Sequence, residues 1–299
     1  MSQADRSSVT ALHALPQRAR LTTTHPHGAL WCRADGKLAL LRISKNASTE
    51  LMNRLNCQTW QPFADVEAPV VLFLRDPVRR FLSSISETLM RVQHTAIEDP
   101  QTNDRVVVSE DIYAALERVI AGPVDRIIDL MIDLIEEAPF DAHHEHQISF
   151  FTERDGTPRF DARLYSVEHI EAGLEKIGSR YDIAITRPPA PVGDRFNIGG
   201  AKPVSGATGF RIMMRKMTRT GLYRRLPRPP LLASRVPGRS KGVIERRDLN
   251  AMANDFAADV KAAGLNDAQR ARVKRIYQAD IALWSRIKDD DDRLLSDLF

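Results

Sequence analysis

Residues 37–55, KLALLRISKNASTELMNRL, run three local patterns in succession: an apolar stretch at 38–43, small polar residues around one lysine at 44–49, and an apolar stripe at Leu51, Met52 and Leu55. The order predicts strand, polar turn, helix. A helix that starts directly after such a turn leaves its first N–H groups without partners and carries a partial positive charge at that end. Such a junction attracts an anion. Lys45 adds a full charge, and Asn46, Ser48 and Thr49 add short donors. The junction reads as a phosphate or sulfate cradle.

The common nucleotide-binding P-loop needs several glycines so that its amides can wrap the phosphates. This chain has no glycine between Gly36 and Gly122, which argues against a Walker-type kinase or ATPase. A compact Lys-Asn-Ala-Ser-Thr turn still wraps one phosphate through backbone N–H groups, hydroxyls and the lysine. That suits a 5′-phosphosulfate better than a metal-bound triphosphate.

The rest of the chain supplies a frame for this turn. Residues 1–28 are polar and read as a flexible leader, and 29–299 as one domain. Residues 29–33 and 38–43 flank Ala34-Asp35-Gly36, a hairpin signal. A loop follows the first helix through Pro62, and VVLFL at 70–74 reads as a second buried strand. Asp76 is an N-cap candidate, with Pro77 at the first helical position. Val78, Phe81, Leu82, Ile85, Leu89 and Val92 mark one face of a helix to about Gln93, and Arg80, Ser83 and Glu87 share the opposite face. Arg79 and Arg80 read first as solvated helix charges.

Residues 97–105 form a polar loop, and helices are expected at 110–121 and 124–138, split by Gly122-Pro123. A histidine-rich turn at 141–147 precedes a third strand at 163–167, a helix at 168–178 and a further short strand at 181–185. A basic, loop-rich insertion spans about 187–247; from Arg195 to Arg247 it carries fourteen lysines and arginines against the single acid Glu245. Helices at 245–263 and 266–288 follow, then a solvated acidic run at 289–292.

Charge and cysteine usage narrow the classes. A net charge of +4 and a pI of about 9.2 favour acidic ligands without implying a general nucleic-acid role. Cys32 and Cys57 are too few for a disulfide framework or a cysteine zinc site. No apolar run approaches the roughly 18 residues a membrane span needs, and the N-terminal stretch lacks a signal-peptide core. The expectation is a cytoplasmic, soluble protein with no transmembrane segment.

Ser44-Lys45-Asn46-Ala47-Ser48-Thr49, after a strand, resembles the 5′-phosphosulfate loop of sulfotransferases that use 3′-phosphoadenosine 5′-phosphosulfate (PAPS). Arg75-Asp76-Pro77-Val78-Arg79-Arg80-Phe81-Leu82-Ser83, also after a strand, resembles their 3′-phosphate motif, an arginine followed eight residues later by a serine. Asp141-Ala142-His143-His144-Glu145-His146-Gln147 is similar to the aspartate-x-histidine stretch of the carbohydrate, Golgi-type branch and its soluble bacterial relatives, the sulfotransferase family 2-like group. Residues 164–174 and 276–284 resemble that branch's strand-then-glutamate segment and terminal helix. Ser44 stands where the family often has proline, and the cysteine pairs of secreted members are missing.

The resemblance implies an α/β fold of P-loop NTPase type, a central parallel sheet flanked by helices with helical additions. It implies sulfuryl transfer from PAPS to a hydroxyl of a carbohydrate or glycolipid, with no metal required. Lys45 would stabilise charge at the leaving oxygen, and Asn46, Ala47, Ser48 and Thr49 would hold the 5′-phosphate. Arg75 and Ser83 would bind the 3′-phosphate. The base that takes the acceptor proton would be His143, with His144 next and Glu87 third. Two other readings compete: a P-loop-like small-molecule kinase, and a non-enzymatic polyanion-binding protein acting through the basic segment. A metal site in the histidine turn is not expected, because neighbouring side chains cannot all point inward.

Overall fold

The computed structural model describes residues 19–21, 29–93, 106–108, 110–137, 139, 143–153, 155–186, 231–235, 246–289 and 292–299. The loop at 97–105, Asp141, and most of the leader and of the basic insertion lie outside the described residues. The strands are β1 (Ala19–Leu21), β2 (Ala29–Arg33), β3 (Ala39–Leu41), β4 (Cys57–Pro62), β5 (Val70–Leu74), β6 (Val92–Gln93), β7 (Val106–Val108), β8 (Arg163–Ser166) and β9 (Arg293–Leu294). The helices are α1 (Ser48–Arg54), α2 (Pro77–Arg91), α3 (Glu110–Val119), α4 (Val124–Glu137), α5 (Ile170–Tyr181), α6 (Arg246–Ala263), α7 (Asp267–Ile276) and α8 (Gln278–Ile287).

Strands β3, β5 and β8 are parallel neighbours, with Leu40 opposite Val71 and Leu72 opposite Leu164. Parallel pairs need long crossovers. Residues 42–69, with α1 and β4, make the first, and the stretch holding α2 to α4 makes the second. Both faces of β3 and β5 are covered, so their sequences are apolar without alternation. Leu40, Val71 and Phe73 pack with Leu51 and Leu55 at α1 and with Leu174 and Ile177 of α5. Ala39, Leu41, Leu72 and Leu74 pack on the other face with Phe150, Phe151 and Leu283. Gly173 lets α5 approach closely, since a Cβ there would lie 3.1 Å from a ring carbon of Phe73.

The whole sheet is mixed, in the order β4-β2-β3-β5-β8-β9. The expected parallel centre is therefore three strands, with an antiparallel wing on each side. The β2–β3 hairpin forms as expected, and its turn uses Gly36 at φ +68°, a conformation that glycine adopts at no steric cost. A second cluster of apolar side chains, from α2, α3, α4, α6 and α7, forms the helical part of the core.

Several expectations need correction. The stretch ending at Pro62 is a strand, β4, paired with β2, rather than a loop. Residues 183–186 form no strand; Asp182, at φ +48°, ends α5 instead. The single helix expected at 266–288 breaks at Tyr277 into α7 and α8. Asp292 is not a solvated charge: its carboxylate bonds Arg163, Arg180 and Tyr165, and its chain leads into β9. Within the leader, β1 pairs with β7. Within the basic insertion, Leu231 and Leu232 are fully buried in the helical core. Arg235 there donates to the carbonyls of Ile120 and Gly122 and lies over the Phe256 ring.

Candidate functional site

The C-terminal ends of β3, β5 and β8 are the edge where parallel α/β sheets hold ligands. The polar turn after β3 stands there. Lys45 and Ala47 both adopt left-handed backbone conformations, at φ +68° and +54°. Non-glycine residues pay for that geometry and hold it only where the surroundings enforce it. The turn thus takes up, without glycine, left-handed positions of the kind that aim successive N–H groups into an anion-binding concavity. Ala47 is also the N-cap of α1, and its carbonyl accepts from Leu51. Ser48 and Thr49 open the helix, both half-buried.

The surroundings that enforce the turn are specific. Arg80 is 2% exposed, and its guanidinium donates to the Ser44 carbonyl at 3.0 Å and to the Glu145 carbonyl at 2.6 Å. It ties the cradle to the histidine turn, so the solvated reading of Arg80 is corrected. Asn46 turns inward: its Nδ2 donates to the Phe73 carbonyl and to Gln147 Oε1. Its side chain therefore braces β3 against β5, and the residue's own N–H is bonded to the Ile43 carbonyl.

Lys45 Nζ lies 3.0 Å from Glu87 Oε2, with side-chain exposures of 10% and 5%. Glu87 projects from α2, one helical turn beyond Ser83. Asp76 caps this helix by accepting from the N–H groups of Val78 and Arg79, as the sequence predicts. The cap fixes where α2 begins, and hence which side chains reach the cradle. The face carrying Val78, Phe81, Ile85 and Leu89 joins the helical core, while Arg80, Ser83 and Glu87 face the sheet edge.

Arg75 and Ser83 come together across the first turns of α2. Arg75 Nη1 donates to Ser83 Oγ at 3.2 Å and to the Lys45 carbonyl at 3.0 Å, and Ser83 Oγ donates to the Arg80 carbonyl. Among the described residues the guanidinium makes no other hydrogen bond. Burial lowers its pKa, aided by Arg79 and Arg80 and opposed by Glu168 and Asp76. It stays protonated all the same. A planar cation with uncommitted donors is suited to a two-bonded grip on a phosphate.

The histidine turn lies behind these groups. His144 is fully enclosed, and its Nδ1 meets Ser84 Oγ at 2.8 Å. Because that hydroxyl donates to the Phe81 carbonyl, the ring nitrogen is the donor in their contact. His144 is thus placed to hold the turn rather than to meet an acceptor. His143 is buried at the same turn with slight exposure. Among the described residues no group of three or more His, Cys, Asp or Glu side chains is arranged to hold a metal.

Three residues of this edge were not singled out for the site from the sequence. Gln147 Oε1 accepts from Asn46 and from the Arg75 N–H, and its Nε2 donates to the Arg75 carbonyl. Asp280 of α8 accepts from the backbone N–H groups of Gln147 and Ile148. The signal for Asp280 was present, since it is an acid on the apolar stripe of Tyr277, Ile281 and Trp284. Glu168 accepts from the Asp76 N–H, from Ser166 Oγ and from Trp284 Nε1. Burial alone would raise its pKa, yet these bonds and its own N–H carry it below the usual carboxylate range.

Comparison of the chain with family models, with curated proteins and with solved structures gave no match.

Proposed function

We propose that the chain is a sulfotransferase of P-loop-like α/β type, which transfers a sulfuryl group from PAPS to a hydroxyl of a carbohydrate or glycolipid acceptor. The observation that carries the reading is the double contact of Arg75, which touches Ser83 and at the same time holds the Lys45 carbonyl. Two anion-holding groups are thereby set side by side at one sheet edge. A nucleotide with phosphates on both its 3′ and 5′ positions needs two such groups.

The residues present fit that ligand. Arg75 has donors to spare among the described residues, and the left-handed positions at Lys45 and Ala47 shape a turn that can receive a phosphate. Arg75 with Ser83 would hold the 3′-phosphate, and the turn 44–49 with Lys45 the 5′-phosphate. When bound, the nucleotide supplies the sulfuryl group. Lys45 contributes an ammonium fixed where negative charge gathers, a preorganised electrostatic contribution that needs no movement of water. His143 accepts the proton of the acceptor hydroxyl on its imidazole. The enclosed setting of Lys45 and Glu87 keeps these charges poorly screened.

Calorimetric titration with adenosine 3′,5′-bisphosphate tests the reading. Binding on the order of micromolar is expected, and Lys45→Ala and Arg75→Ala should each weaken it by about tenfold or more. Failure of the intact protein to bind the bisphosphate overturns the proposal.

A further inference from the structure

A cradle made only to attract anions would leave its lysine clear of carboxylates. Here the Lys45 ammonium meets the Glu87 carboxylate at 3.0 Å, and both side chains are almost enclosed. The pair sums to no net charge. Arg75, bonded to the Lys45 carbonyl, feels the carboxylate of Glu168, whose oxygens are committed to Asp76, Ser166 and Trp284. Each of these two cations thus feels a carboxylate, Glu87 for Lys45 and Glu168 for Arg75, while the nearby Arg80 guanidinium donates to the Ser44 and Glu145 carbonyls.

Resting on the sulfotransferase reading above, we propose that Glu87 is a specificity-determining residue, which makes the cradle prefer a nucleotide ending in a sulfuryl group over one ending in a phosphoryl group. The two groups have the same tetrahedral shape, so the walls of the turn cannot separate them. Their charges differ. A terminal sulfuryl group carries one negative charge, whereas a terminal phosphoryl group takes on most of a second near neutral pH. A fixed carboxylate beside Lys45 opposes every anion, and it opposes the more highly charged one more. At the effective dielectric of a partly enclosed site, one extra unit charge a few ångströms away changes affinity by about tenfold or more. Discrimination of this kind comes from a repulsive element built into the site.

The test compares two ligands of matching shape, PAPS and adenosine 3′-phosphate 5′-diphosphate, by their dissociation constants with acceptor absent. The native chain should bind PAPS more tightly than the diphosphate. In Glu87→Gln both should bind more tightly and the ratio should fall by about tenfold or more, while Glu87→Asp, which keeps the charge, should keep the preference. A native ratio near one overturns the proposal, as does a ratio that Glu87→Gln leaves unchanged. The native ratio needs no substitution, so a misfolded variant does not shelter the idea. Absence of bisphosphate binding removes the sulfotransferase reading and this inference together, an outcome distinct from binding without discrimination.

Discussion

Lys45 and Glu87 illustrate how a candidate site residue becomes a folding liability when its partner is removed. Taking one member of an enclosed ion pair strands the other charge, at a cost of about 3–5 kcal/mol. Lys45→Ala should therefore lower stability by that order in urea unfolding, and Lys45→Ala/Glu87→Gln should recover a large part of it. Recovery would separate the loss of nucleotide binding from the loss of fold. Lys45, Arg75 and Ser83 were legible in the sequence because each sits in a short motif with a fixed spacing after an apolar strand. Gln147 and Asp280 were not, because their meaning lies in partners far along the chain. Gln147 bonds Arg75 across 72 residues, and its own N–H bonds Asp280 across 133. No local spacing records such a pairing.

At the scale of elements, α2 is the piece that brings the candidate site together at the sheet edge. It starts at Asp76, carries Arg80, Ser83 and Glu87 to the cradle, and buries its opposite face in the helical core. Asp76→Ala should remove the cap and cost about 1 kcal/mol in thermal or urea unfolding. Elements set by local pattern were readable: the β2–β3 hairpin from Asp-Gly, β5 from its unbroken apolar run, α2 from its cap and periodicity. Elements set by pairing were missed. β4 reads Cys-Gln-Thr-Trp-Gln-Pro, with Gln58, Thr59 and Trp60 exposed, and only its partner β2 makes it a strand. β9 is two residues long and exists through β8. The break between α7 and α8 at Tyr277 interrupts an apolar stripe that continues on both sides. Tyr277 there takes φ −100° and ψ +28°, and its hydroxyl donates to the His144 carbonyl across 133 residues, a partner that no local pattern records.

Across the whole molecule, the C-terminal segment closes the sheet. Asp292 gathers Arg163 and Tyr165 of β8 with Arg180 of α5. Burial alone would raise its pKa, yet the bonds from Arg180, Tyr165 and Arg163 hold it below the usual aspartate range. A carboxyl whose folded value lies below its unfolded one adds stability above the unfolded value, and loses it as pH falls through the folded one. Asp292→Asn should therefore melt below the native chain near neutral pH, and the gap should close below about pH 4. Thermal melts across that range check it. The terminal helix α8 makes a second long-range connection, through Trp284. Its indole N–H bonds the same Glu168 carboxylate that holds the Asp76 N–H, next to Arg75. Trp31 and Trp60 stand opposite one another on β2 and β4. Emission from Trp284 should therefore shift when adenosine 3′,5′-bisphosphate is added, a label-free check on the proposed phosphate grip at Arg75.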